Sequence, residues 1–344
     1  MVLVLGGAGY VGSILVEALL DHGYSVRVYD RGYYNVDDSK FSKKAEYVWG
    51  DVRDIHPENF KDVDAVINLS GLSNDPTAEY NPEANKQMNT DATISSAKQA
   101  IKFGIMRYVF ASSCSVYYRD ISGADVDDVL LDESVSIQPK AAYSKSKYEA
   151  EQGLLQLASI NKGFCPVILR KGTIFGWSPR MRYDLVVNTF VKDALKTGKI
   201  TIHNGGEMWR PMLEINDAAR AYIACIQAKA PKVRGQIFNV AYKNFRVSEI
   251  ALRTADALKK IGVKVEIDIQ QSLGSARSYR VSTNKMREIL GITPSITIGE
   301  SVANMVTNIN AEKYTDWDNP VYYNLKWLKT LEHASRVLVD GEIF

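Results

Sequence analysis

The stretch Val2–Ser13, VLVLGGAGYVGS, decides the fold. Four apolar residues run without a break into Gly6, Gly9 and Gly12, and a helical pattern continues to about His22. An unbroken apolar run suits a parallel strand covered on both faces. The glycines suit the turn that follows. A tight bend, close backbone approach to a pyrophosphate and helix–strand packing each need a residue without a side chain. The helix start then offers free N–H groups and a partial positive charge to phosphates.

Outward from this turn, Ser25–Tyr29, Ala45–Val48, Ala65–Leu69, Tyr108–Ala111 and Val167–Leu169 read as further strands, with helical patterns at Gly12–His22, Glu83–Phe103 and Ser144–Ile160. The alternation predicts βα units around a parallel sheet, a Rossmann-type doubly wound α/β fold. The second half is less regular. It has an irregular Gly176–Tyr183 stretch, helices near Asp184–Thr197, Val247–Ile261, Asn284–Leu290 and Gly299–Ile309, a turn at Asn204–Gly206, and a strand near Gln236–Val240. The layout predicts a dinucleotide-binding part over 1–175 with a return segment at about 211–245. A smaller interleaved substrate lobe takes 176–210 and 246–344. The tail from Tyr314 to Phe344 is rich in Trp and Tyr and should pack rather than float.

The bulk properties exclude several classes. A net charge of +2 over 344 residues gives no concentrated basic face for nucleic acid. No apolar run approaches the length of a membrane span, and Val2–Leu5 lacks the basic flank of a signal peptide. Cys114, Cys165 and Cys225 form neither a disulfide framework nor a metal-ligand spacing, and the four histidines are scattered. The expectation is a cytoplasmic protein without a bound metal.

Asp30 ends the second strand, where a carboxylate accepts the adenosine ribose hydroxyls and repels a 2′-phosphate, so NAD is expected over NADP; Arg31 beside it works against that choice. Asp51 and Val52, in GDVRD after the third strand, are placed to meet the adenine, the carboxylate on its amino group and the valine as an apolar wall. A plain turn cap is the other reading of Asp51.

The glycine turn, FASSCSVYY at Phe110–Tyr118 and YSKSK at Tyr143–Lys147 together resemble extended short-chain dehydrogenase/reductases of the nucleotide-sugar epimerase/dehydratase group, over residues 1 to about 310. Tyr143 and Lys147, four apart on a helix, lie on one face, where an ammonium lowers the pKa of a phenol that is otherwise too weak a base. The resemblance implies Tyr143 as acid/base, Lys147 as the residue that also holds the nicotinamide ribose, and Ser113 as the hydroxyl that orients the reacting sugar oxygen. Sugar 4,6-dehydratases of this group carry Asp-Glu directly after the catalytic Ser/Thr. Here Cys114 and Ser115 stand there and supply neither acid nor base. What remains is hydride chemistry without elimination.

The resemblance places Arg210, in GEMWRPMLEIND, on a nucleotide diphosphate, which a guanidinium fork grips bidentately. It puts Asn188, in RYDLVVNTF, beside the same phosphate, with Arg277 as a second clamp; Arg180 and Arg182 either add to this positive pocket or are solvated surface charges. Asn74, Asp75 and Thr173 either face the sugar or cap loops. Trp177 and Trp209 either stack on a ligand or pack in the core. The implied substrate is a nucleotide-diphosphate sugar, and the implied assembly is a homodimer through a four-helix bundle of Glu83–Phe103 and Ser144–Ile160. Three activities stay open: C4 epimerisation through a keto sugar, a 4-dehydrogenase or ketoreductase on a deoxysugar or heptose, and a non-catalytic NAD sensor.

Overall fold

A computed structural model describes residues 1–34, 41–117, 129–271, 278–313 and 316–340. In chain order its strands are β1 (Val2–Leu5), β2 (Val26–Asp30), β3 (Glu46–Trp49), β4 (Ala65–Asn68), β5 (Arg107–Ser113), β6 (Leu130–Leu131) and β7 (Cys165–Lys171). They continue as β8 (Thr173–Phe175), β9 (Lys199–Ile202), β10 (Trp209–Glu214), β11 (Gln236–Val240), β12 (Lys243–Arg246), β13 (Glu266–Ile269) and β14 (Arg280–Val281). Its helices are α1 (Tyr10–Asp21), α2 (Asp75–Tyr80), α3 (Pro82–Lys86), α4 (Ala92–Lys102), α5 (Ala142–Ile160) and α6 (Val186–Thr197). They continue as α7 (Ile215–Gln227), α8 (Ala230–Val233), α9 (Val247–Lys260), α10 (Asn284–Leu290), α11 (Ile298–Ala311) and α12 (Asn324–Asp340).

Seven strands form one all-parallel sheet in the order β3-β2-β1-β4-β5-β7-β11. The chain leaves β1 in one direction through β2 and β3, then returns to its other side with β4. This reversal opens a crevice beyond the carboxyl ends of β1 and β4, where ligands of doubly wound sheets bind. The unbroken VLVL and AVIN runs are buried throughout because both sheet faces are covered. Leu3, Leu5, Val66 and Phe110 pack toward α4 and α5, among Ala97, Ala150 and Leu154. Val2, Val4, Ile67 and Val109 pack the other way, toward Leu15, Leu19, Ala218 and Tyr222.

That second core continues without a break into Ile250, Val302 and Met305 of α9 and α11. Outside the main sheet lie the three strands β8-β10-β12 and the pairs β9-β13 and β6-β14. Most of these strands are short and mixed in polarity, so no clear alternation or apolar run announced them. The tail packs: Val321 is buried, and Tyr183 meets the rings of Trp317 and Tyr322 at 5.8 and 5.6 Å between centroids.

The single helix expected over Glu83–Phe103 is divided. A π turn at Gln87–Asp91 separates α3 from α4. The cause is a run of buried polar side chains. The widened turn lets Asn89 Nδ2 donate to Leu72 O, Asn85 Oδ1 and Ser146 Oγ at 2.9, 2.8 and 3.1 Å, as π turns near functional sites often do. Among the described residues no helix is long and apolar enough to cross a membrane, and no group of His, Cys, Asp or Glu is placed to hold a metal ion.

Candidate active site

The crevice is a cavity of about 390 Å³, within the range of small-molecule sites. Gly6 has φ +78°, and a Cβ there would lie 2.8 Å from Ser70 N; a Cβ on Gly12 would lie 2.5 Å from Gly6 O. Both positions exclude any side chain, so β1, β4 and α1 approach as closely as a pyrophosphate cradle demands. Gly9 precedes α1 and supplies no side-chain cap, leaving the helix's first N–H groups to the cavity.

Asp30 closes this cradle. Its carboxylate accepts from Ala8 N at 3.0 Å and Gly32 N at 2.8 Å, which ties β2 to the glycine turn. Burial pushes its carboxyl above the usual value, against those two donors and the nearby Arg180. Arg31 lines the cavity beside Asp30. It pairs with Asp51, which Arg53 also grips through Nε at 3.0 Å, and the Arg53 hydrogen bonds above all hold the Asp51 carboxyl below its usual value. Asp51 also caps the turn after β3 through Arg53 N at 2.9 Å, and Val52 is a buried part of the cavity wall. Both the turn cap and a place in the cavity therefore hold for Asp51. These features fit NAD.

Ser113 ends β5 and Tyr143 opens α5, and both line the cavity. Lys147, one turn beyond Tyr143, lies beneath the wall, buried, with Nζ 6.0 Å from the Tyr143 ring centre and 4.9 Å from that of Phe110. Burial first, and then the charge of Lys171, push the Lys147 amine down to about 7. Glu151, one turn further, opposes that shift. It is itself locked in a buried pair with Arg170 Nη2 at 2.6 Å. Cys114 is buried, its thiol directed at Arg170 O and raised by burial, so it packs rather than reacts. Ser115 lines the cavity.

Arg180, Arg182 and Arg210 also line the cavity. Arg182 is gripped by Asp184 at 2.8 and 2.9 Å and donates to Ser73 Oγ at 3.0 Å. Arg180 lies 3.8 Å from the Tyr34 ring centre and donates to Asn324 Oδ1 at 2.6 Å. Burial and the neighbouring Arg182 push it down to about 10. Asn74, Asp75 and Thr173 all line the cavity, and Asn74 also caps α2 through Thr77 N at 3.1 Å.

One expected contact is corrected. Asn188 is fully buried and does not line the cavity. Its amide donates to Tyr10 Oη at 3.0 Å and Arg182 O at 2.9 Å and accepts from Gly176 N at 3.1 Å, bolting the arginine segment to the start of α1. Trp177 packs against the core, and Trp209 is covered by Arg246 and Arg280 at 5.3 and 4.7 Å from its ring centre. Arg277 lies outside the described residues. Lys171, Tyr279 and Asn324 line the cavity unforeseen. A lysine closing the VILRK strand was a signal in plain view; nothing local marked the other two.

The model of the NAD-dependent epimerase/dehydratase family matches residues 2–241. A candidate UDP-glucose 4-epimerase of Methanocaldococcus jannaschii is 29% identical over 313 residues, 89% of this chain and 97% of the relative. Among solved structures, UDP-glucose 4-epimerase from Thermotoga maritima, with UDP-glucose, superposes with a TM-score of 0.78 at 20% identity, over 91% of this chain and 99% of that one. MoeE5 in complex with UDP-glucuronic acid and NAD gives 0.76 at 23%, over 90% and 99%. The likeness to both structures is one of fold. The family match agrees with the glycine cradle, Asp30 and the Ser113, Tyr143 and Lys147 grouping: the chain is an NAD-dependent enzyme and belongs to the NAD-dependent epimerase/dehydratase family.

Proposed function

We propose that this enzyme inverts a carbinol of a nucleotide-diphosphate sugar at C4, through a transient keto sugar. The observation that carries the reading is the convergence of Ser113, Tyr143 and Lys147 beside the glycine cradle, with the non-acidic Cys114 and Ser115 where elimination would need an acid and a base. NAD, when bound, supplies the hydride acceptor and gives the hydride back. Gly6, Gly9, Gly12, Asp30, Asp51 and Val52 would hold it, and Lys147 would meet its nicotinamide ribose.

The chain's own residues handle the proton. Tyr143 Oη takes it from the sugar hydroxyl and returns it later. Ser113 Oγ donates to the same oxygen and fixes its direction. The Lys147 ammonium, forced under Tyr143, favours the phenolate. Arg210 takes the diphosphate. Arg180 and Arg182 shape the positive wall, with Arg182 already committed to Asp184. In this reading 1–175 with 211–245 binds NAD, 176–210 with 246–344 binds the sugar nucleotide, two copies pair through α4 and α5, and the enzyme works in the cytoplasm.

The test is incubation with UDP-, GDP-, dTDP- and CDP-sugars, with chromatography of the sugars and absorbance for NADH. A stereoisomer without net NADH supports epimerisation. Net NADH or a free keto sugar moves the assignment to a 4-dehydrogenase or ketoreductase, which the GWSPRMRYDLVVNTF segment also resembles.

A further inference from the structure

Lys171 is a cation that the proposed mechanism does not use. It closes β7 and stands in register opposite Ser113 on β5, so the two residues share one sheet face at the carboxyl edge. Both line the cavity. Lys171 Nζ lies 5.8 Å from the ring centre of Tyr222. The lysine thus sits at the reacting end of the cavity, beside the group that orients the sugar oxygen.

Among the described residues no counter-charge acts on it. The charge it feels is that of Arg182, and it acts in turn on Lys147; both encounters are repulsive. Three acids near the cavity are committed elsewhere, and Asp75 is not among the charges that act on Lys171. Asp30 accepts from Ala8 N and Gly32 N, Asp51 is held by Arg31 and Arg53, and Asp184 grips Arg182. Burial pushes the Lys171 amine down to about 8. A desolvated, unpaired cation is destabilising in the free protein, and an anionic ligand relieves it. The diphosphate is not that anion in this reading, since Arg210 takes it.

Resting on the nucleotide-sugar reading above, we propose that Lys171 binds a carboxylate on the sugar ring, so that the substrate is a nucleotide-linked uronic acid rather than a neutral hexose. The carboxylate lies beside the carbinol that Ser113 and Tyr143 handle, and Lys171, partly exposed in the cavity, selects for it because a neutral sugar would cover its ammonium without pairing it.

The full-length enzyme with NAD is assayed on glucuronic and galacturonic acid nucleotides against the corresponding glucose and galactose nucleotides, in each of the UDP, GDP, dTDP and CDP series. The expected result is a kcat/KM for the uronic acids at least about tenfold higher. Lys171→Met should cut that ratio by about a hundredfold, the scale of losing one desolvated charged contact, while Lys171→Arg retains most of it. Affinity for the free nucleoside diphosphate should move less than about threefold, which separates a carboxylate role from a diphosphate one. Lys171→Met should also raise the melting temperature of the ligand-free protein, because a partly desolvated charge with repulsive neighbours is removed. Preference for neutral hexoses, or equal losses on both substrate classes, overturns the proposal and leaves the nucleotide-sugar reading standing. Failure of every nucleotide sugar to bind or react overturns both.

Discussion

Asn324, the first residue of the last helix, donates from Nδ2 to Ser73 Oγ at 2.8 Å, across 251 positions of sequence. The same side chain accepts from Arg180, and Trp327 one turn later donates to Tyr33 O. Thus the aromatic tail joins the loops after β2 and β4 and forms part of the cavity wall. Asn324→Ala leaves Arg180 and Ser73 without these partners at a buried site. The expected loss is about 1–3 kcal/mol in urea unfolding together with a raised substrate KM. An unchanged KM would make the tail a purely structural brace.

Removing the Asp51 carboxylate should change cofactor choice. Arg31 lines the cavity and pairs with Asp51. Asp51→Asn frees that guanidinium for a 2′-phosphate, and the NADP to NAD affinity ratio should rise about tenfold, the scale of one charge-assisted contact. Titration of both cofactors by fluorescence reads it.

Tyr143→Phe removes only the phenol oxygen. NAD affinity should stay within about threefold while kcat falls by about 10²–10⁴, the usual share of a general acid/base. Turnover like that of the wild type would place the proton transfer elsewhere.

Stability should rise with pH near neutrality. The Lys147 amine titrates near 7 in the folded chain against an ordinary 10.5. Between those values the unfolded chain binds a proton that the folded chain has released. The stabilisation is therefore complete above the ordinary value and is lost as pH falls through the folded one. Lys171, pushed down to about 8, acts in the same sense. Urea midpoints of the ligand-free protein at pH 7 and 9 should differ accordingly, and Lys147→Met should flatten the difference.

Glu151 and Arg170 form a buried pair in which Ser112 Oγ also donates to Glu151 Oε1 at 2.5 Å. Glu151→Ala strands the guanidinium and should cost about 3–5 kcal/mol in unfolding free energy.

What was legible in the sequence was local. The VLVL run, the glycines and the Tyr143–Lys147 spacing are consecutive or one helical turn apart, so pattern and steric need coincide in a short window. Asn188 misled because its motif suggests a ligand contact, whereas its amide is consumed by Tyr10, Gly176 and Arg182, partners 6 to 178 residues away. Lys171 stood in plain view as the end of a strand, but its partner across the sheet did not. Its place opposite Ser113 is a matter of strand register, set by the whole sheet and not by the residues around it. The π turn escaped because Asn85, Asn89 and Thr90 only acquire a reason to be buried once Leu72 and Ser146 are beside them.

The central claim is that hydride leaves C4 of a bound nucleotide sugar and returns to the other face of the same carbon. The direct test uses a nucleotide sugar deuterated at C4, incubated with the enzyme and excess unlabelled NAD, with the products examined by NMR and mass spectrometry. The account predicts an epimer that keeps its deuterium at C4. Deuterium appearing in released NADH, or lost to water, would contradict it.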